Sequence, residues 1–242
     1  MKKGIAEAIG TFILVGVGCG SAVFAGAENG PIGIGLAFGF ALVAAVYTVG
    51  PVSGCHVNPA VTLAMVYAGK MDRSEAPIYI AGQIVGAIAA CFVLLIMAQG
   101  RLAGFDPAVD GLAQNGWGAG YLGEYGVVSA FVWEVVATFI LVAAIFGITQ
   151  SGAPAHLAGI VLGMLLAGLI MFGLLITGVS LNPARSIGPA VFVGGAALSQ
   201  LWLFILAPCI GAVLAAAAFK SGLLAATPPE EPAVAKAAAK PA

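Results

Sequence analysis

Apolar residues fill this chain in blocks separated by short polar gaps, and the blocks come in two lengths. Six of them, at about 4–27, 33–53, 77–98, 126–149, 156–177 and 198–220, are long enough to cross a membrane as helices. Two others, 58–69 and 182–194, would reach only roughly 17 Å at the helical rise, about half of a ~30 Å hydrocarbon core. Both short blocks open on the same tripeptide, Asn58-Pro59-Ala60 and Asn182-Pro183-Ala184, and both close at a glycine, Gly69 and Gly194. Asn is a favoured helix N-cap and Pro a favoured first helical residue, so each tripeptide predicts a helix start. Residues 99–125 form a longer Gly-rich polar link carrying Arg101, Asp106, Asp110 and Glu124. From about residue 222 the chain turns to Ala, Pro, Glu and Lys, which predicts a disordered tail over 222–242.

The two halves are copies. Glu7-Ala8-Ile9-Gly10-Thr11-Phe12-Ile13-Leu14-Val15 matches Glu134-Val135-Val136-Ala137-Thr138-Phe139-Ile140-Leu141-Val142, and the two Asn-Pro-Ala sites lie at nearly the same offset. The first repeat covers about 4–98 and the second about 126–220, within one channel domain of residues 1–221. Three spans per repeat is an odd number, so the second copy is inserted upside down. The half-helices then enter from opposite faces, and their positive N-terminal ends meet near the midplane. The expected fold is an all-α membrane protein: six transmembrane helices and two half-membrane helices in two inverted repeats.

Composition narrows the function classes. Only 8% of the 242 residues are charged, against about 25% in soluble domains, which makes this an integral membrane protein. A net charge of −1 without a basic patch excludes a nucleic-acid partner. Cys19, Cys55, Cys91 and Cys209 sit in or beside apolar stretches, with no spacing that suggests a disulfide or zinc site. The two histidines, His56 and His156, form no metal cluster, and no nucleophile–base set is present; neither an enzyme nor a cofactor is expected. Lys2 and Lys3 before an apolar run imitate a signal peptide, but the run spans, contains Glu7 and recurs internally, where it cannot be a cleaved leader. Lys2, Lys3, Lys70, Arg73, Lys220, Lys236 and Lys240 fall on one side of this topology and only Arg101 on the other. The positive-inside rule therefore puts both termini in the cytoplasm of a multi-pass protein of the plasma or inner membrane.

The paired motifs, the stretch Ser53-Gly54-Cys55-His56-Val57-Asn58-Pro59-Ala60-Val61-Thr62, the string Asn182-Pro183-Ala184-Arg185-Ser186 and the Glu7/Glu134 repeat together resemble the major intrinsic proteins, the aquaporin and aquaglyceroporin channels. The likeness covers residues 4 to about 220. It implies a passive water channel that excludes protons and ions, built as a homotetramer with one pore per subunit. A broader channel for small neutral solutes such as glycerol is the nearest alternative. An ion-coupled secondary transporter is a more distant one, because it needs a titratable residue in the passage.

The resemblance also assigns roles. Asn58 and Asn182 would cap the half-helices with their oxygens and turn both free amide N–H₂ groups to the passage. A water accepting from both must point its hydrogens outward and cannot relay a proton. Arg185 would stand at the outer constriction with Phe38, Ile170 and Val179, located by their spacing from the motifs. Water-specific members usually carry His at the Ile170 position, and the departure to Ile here speaks against strict water specificity. Ser186, where glycerol-conducting members have Asp, favours water. Gly54, Cys55, His56 and Val57, with Gly178, Val179, Ser180 and Leu181, would supply a ladder of carbonyl acceptors. Glu7 and Glu134 would accept the N–H groups of the returning loops, with a proton relay as the competing reading.

Overall fold

The computed structural model describes residues 1–226; the tail expected to be disordered lies outside the described residues from 227 onward. The described elements are all helical: α1 (Lys2–Ser53), α2 (Pro59–Tyr67), α3 (Ala76–Gln99), α4 (Pro107–Asp110), α5 (Val127–Thr149), α6 (Ala158–Thr177), α7 (Pro183–Val193), α8 (Gly195–Ser199) and α9 (Leu201–Lys220).

A straight helix of 52 residues would reach about 78 Å, more than twice the ~30 Å apolar core, so α1 cannot be one span. It breaks at Ala25 (φ −142°, ψ 21°) and at Gly30 (φ 56°, ψ −168°). Pro31 then begins the second arm, where its missing N–H is no loss. The arms, α1a (2–24) and α1b (31–53), run antiparallel: Gly10 faces Val49, Gly18 faces Phe38 and Gly26 faces Ile34. Counted this way, five helices of membrane length give the six expected crossings. The half-helices α2 and α7 run nine and eleven residues. α2 is shorter than its apolar block because the chain turns out early. The Gly69 N–H bonds Val66 O, the Lys70 N–H bonds Met65 O, and Gly69 takes a φ of +73° that suits glycine.

Small residues let these helices touch backbone to backbone. In lipid no hydrophobic gain drives helices together, so close packing has to supply the attraction. Gly82 and Gly86 rest on the carbonyls of Gly4 and Ala8, which joins α3 to α1a. Gly211 rests on the carbonyl of Val135 in the same way and joins α9 to α5. The arms α1b and α6 cross at Gly39 and Gly163. A Cβ on either would lie 2.5–2.6 Å from the other's carbonyl oxygen. The half-helices exchange partners: α2 packs chiefly on α9 and α7 chiefly on α3. Each repeat thereby closes the other, and the two loops ahead of α2 and α7 meet at the centre.

A methyl group added at Gly39 should cost about 1–3 kcal/mol through overpacking. The same methyl at Gly168, which faces open space, should cost little. Melting of Gly39→Ala and Gly168→Ala in detergent checks this; equal midpoints would contradict the crossing.

Candidate pore

The chain leaves α1b and α6 through a left-handed glycine, Gly54 (φ 85°) and Gly178 (φ 70°). It then runs through positive-φ residues that carry side chains: Cys55 and Val57 in one loop, Val179 and Leu181 in the other. Such conformations cost roughly 1–2 kcal/mol each, most for β-branched residues, and persist only where surroundings hold them. Here the surroundings are two carboxylates. Glu7 Oε1 accepts from Ser53 Oγ (2.6 Å) and His56 N (2.9 Å), and its Oε2 from Val57 N (2.6 Å) and Gln83 Nε2 (2.7 Å). Glu134 Oε1 accepts from Thr177 Oγ1 (2.7 Å) and Ser180 N (2.9 Å), and its Oε2 from Leu181 N (2.8 Å). Ser53 and Thr177 accept in turn from Cys55 N and Val179 N, both at 3.1 Å. Three successive loop N–H groups per repeat are thus satisfied without water. Neither glutamate lines the central cavity, and every carboxylate oxygen is engaged, which takes both carboxylates of the relay reading off the path.

The asparagines do two jobs. Asn58 Oδ1 accepts from Ala60 N at 2.9 Å, and Asn182 Oδ1 from Ala184 N at 3.0 Å, each helix following with Pro59 or Pro183. Their Nδ2 atoms reach across the junction: Asn58 donates to Leu181 O (2.7 Å) and Asn182 to Val57 O (2.8 Å). The expectation of two free hydrogens per amide is corrected accordingly. One hydrogen of each ties the opposite loop, because that loop's last carbonyl has no other partner, and one remains. Ala60 and Ala184 are fully buried at this contact. His56 braces the loop through Nδ1 to Thr62 Oγ1 (3.1 Å) and packs on Tyr79 at 4.9 Å; Ser180 and Ser186 make the equivalent brace at 2.6 Å.

A narrow cavity of about 130 Å³ runs past both asparagines. Gly54, Cys55, His56 and Val57, with Val179, Ser180 and Leu181, line it together with apolar residues such as Leu42, Val61, Leu141 and Leu166. Gly178 instead lines a wider vestibule of about 420 Å³ beside Pro31, Asp110 and Tyr121. The acceptor ladder is shorter than expected, since Val57 O, Leu181 O and Gly178 O are taken by Asn182, Asn58 and Arg185. Among the described residues, the carbonyls of Gly54, Cys55, His56, Val179 and Ser180 accept no protein hydrogen bond.

Phe38 and Arg185 line both cavities, so they stand where the two join; Ile170 and Val179 line the narrow one. Arg185 is only 4% exposed, and its Cζ lies 5.4 Å from the Phe38 ring centroid. Its Nη1 donates to Ala113 O (2.7 Å) and Asn115 Oδ1 (2.9 Å), and its Nη2 to Gly178 O (3.3 Å). Among the described residues no carboxylate forms a direct ion pair with it. Asn115 also accepts from Ser186 Oγ (2.7 Å) and donates to Thr177 O (3.0 Å), while Tyr121 Oη donates to Gln114 O (2.7 Å). Sequence reasoning missed Asn115, Tyr121 and Gln83, and quoted Thr62 only as part of a motif, without its role as the His56 partner. A lone Gln in an apolar span was a signal for Gln83; Asn115 sits in a Gly-rich link that reads as solvated loop.

Residues 1–219 match the family profile described as "Major intrinsic protein". The chain belongs to the major intrinsic protein family. Two curated relatives, both named "Aquaporin Z", come from Rhodopseudomonas palustris and Bradyrhizobium diazoefficiens. The first is 46% identical over 217 residues and the second 44% over 218; each alignment covers 88% of this chain and 90% of the relative. A solved structure described as the "aquaglyceroporin from Plasmodium falciparum" superposes with a TM-score of 0.80 at 21% identity, covering 92% of this chain and 98% of that one. That likeness is one of fold alone.

Glu7→Gln and Glu134→Gln each replace a carboxylate oxygen by an N–H₂ that faces loop donors. Loss of charge-assisted bonds and a new donor–donor clash should cost on the order of 2–4 kcal/mol. Lower melting midpoints in detergent are expected for both variants. Midpoints equal to the parent's, with only a pH-dependent flux lost, would put the carboxylates on the path after all.

Proposed function

We propose that this major intrinsic protein conducts water passively across a cell membrane and excludes ions and protons. The observation that carries the reading is the meeting of two half-helix N-termini, each with one asparagine N–H left over, beside a cavity lined by the two returning loops and by aliphatic side chains. A single-file water replaces lost hydrogen bonds at the free loop carbonyls. At the junction it accepts from Asn58 and Asn182, which orients its hydrogens away from the centre. The positive helix ends and the unpaired Arg185 charge repel cations. The relatives' names support water as the permeant. Homotetrameric assembly, with one pore in each subunit, belongs to the same reading.

The positive residues support the orientation with both termini cytoplasmic. Lys3 pairs with Glu75 at 2.6 Å, Lys70 stands over the Phe146 ring at 4.8 Å, and Lys220 donates to Tyr67 O at 3.0 Å. These contacts gather at the end where α2 leaves the bundle, while the vestibule before Arg185 opens at the other end, beside the α1 turn.

One observation favours a wider solute range. Ile170 and Val179, each 2% exposed, leave Arg185 as the sole polar side chain of the four at the constriction. Stopped-flow light scattering on proteoliposomes separates the readings. Osmotic shrinkage faster than in empty liposomes, with glycerol and urea excluded, is the expected result; glycerol entry at a comparable rate would establish the wider one. Cys55 lines the narrow cavity, so a small thiol reagent should slow the flux, and Cys55→Ser should abolish that inhibition. Inhibition unchanged in Cys55→Ser would remove the first loop from the path.

Arg185→Val should fold, because Asn115 keeps its bonds to Ser186 and Thr177. Its small-cation leak should rise, tenfold for every ~1.4 kcal/mol of barrier removed. A leak and a solute selectivity both equal to the parent's would place Arg185 away from the constriction.

A further inference from the structure

The aromatic ring at the constriction is seated against a place where a side chain is missing. Gly18, on α1a, faces Phe38 on α1b. A Cβ on Gly18 would lie 2.5 Å from Phe38 Cγ and closer still to Cδ1 and Cε1. Those atoms are the stem and near edge of the ring, so the ring could not keep its place by moving a flexible tip. Toward the vestibule the ring centroid is 5.4 Å from Arg185 Cζ, and the ring borders both cavities.

The two arms of α1 have little freedom to part instead. α1a is backed by α3, where Gly82 and Gly86 already touch the carbonyls of Gly4 and Ala8. α1b is backed by α6, where Cβ atoms built on Gly35 and Gly39 would fall 2.8 Å and 2.5 Å from the carbonyls of Ala167 and Gly163. Packed backbone resists such shifts, whereas a side chain beside a cavity has free volume to turn into. The ring is the softest neighbour of Gly18, and the open volume beside it is the passage.

We propose that Gly18 is a positioning residue for selectivity: its bare backbone is the niche that holds the Phe38 ring off the pore axis and sets the gap between ring and Arg185. This rests on the water-channel reading. A methyl at residue 18 drives the ring out of its niche and toward the guanidinium. The gap closes for water, and closes further for any larger neutral solute.

Gly18→Ala, Phe38→Ala and the double variant, each reconstituted and also melted in detergent, form the test. Gly18→Ala should conduct water several-fold more slowly than the parent and melt about 2–4 °C lower. In the Phe38→Ala background the same Gly18→Ala change should alter neither flux nor midpoint, because alanine lacks the Cγ, Cδ1 and Cε1 atoms that the added methyl would meet. Parental flux in Gly18→Ala, or an equal loss in the Phe38→Ala background, overturns the proposal. If Gly18→Ala does not reconstitute, Phe38→Ala and the double variant still decide: a large difference between them overturns it, and agreement supports it. The melting comparison needs no permeant. A parent that conducts no water therefore sinks the channel reading, while the niche stands or falls on the midpoints.

Discussion

Two stretches of irregular backbone lie at membrane depth in this protein, and their N–H groups, which point away from the cavity toward Glu7 and Glu134, cannot be satisfied by lipid there. Glu7 and Glu134 meet that constraint. Each gathers two consecutive loop N–H groups and a hydroxyl that caps the amide before them. The carboxylates stand behind the loops, away from the cavity, and from there they hold residues such as Val57 and Val179 in a left-handed conformation they would otherwise avoid. Buried carboxylates in a membrane are expensive and are commonly read as parts of a proton path. Here their hydrogen-bond partners account for them as scaffold.

The same constraint produces the polar strip along the cavity. Once the N–H groups of the returning loops point back to the glutamates, the carbonyls of Gly54, Cys55, His56, Val179 and Ser180 are left without protein partners. They are what a water stripped of its neighbours can bond. The polar part of the cavity lining thus follows from a single device used twice. The asparagines add the link between repeats, each bonded to the opposite loop across the junction. The exchange of half-helices, α2 onto α9 and α7 onto α3, makes that junction possible. The two ends of the passage differ because residues 99–125 fold in at one end only. Ala113 and Asn115 there clamp Arg185, whose counterpart in the first repeat is Val61.

What could be read in advance was whatever depends on local chemistry or on the repeat. Asn followed by Pro marked both half-helices, because capping and a first-turn proline are local effects. The Glu7/Glu134 correspondence directed attention to the loops, since two matching intramembrane carboxylates need a common explanation. The inserted arginine stood out in an otherwise apolar segment. The rest depended on distant parts of the chain. The Asn58–Leu181 and Asn182–Val57 bonds join residues more than a hundred positions apart, and nothing local announces them. Asn115 looked like a turn residue in a solvated link until the fold laid that link over the second loop. The hairpin in α1 was legible as two spans but not as one nearly continuous helix, because Gly30 and Pro31 interrupt it over so few residues.

The central claim is that the paired asparagines, at opposed helix N-termini, let water pass while breaking the hydrogen-bonded chain along which protons would follow. It is tested most directly by trapping a pH-sensitive dye in proteoliposomes, imposing a pH gradient and recording its decay beside osmotic water flux in the same preparation. The expected result is a gradient that decays at the rate of empty liposomes while water moves faster. A proton leak that scales with the amount of protein would contradict it.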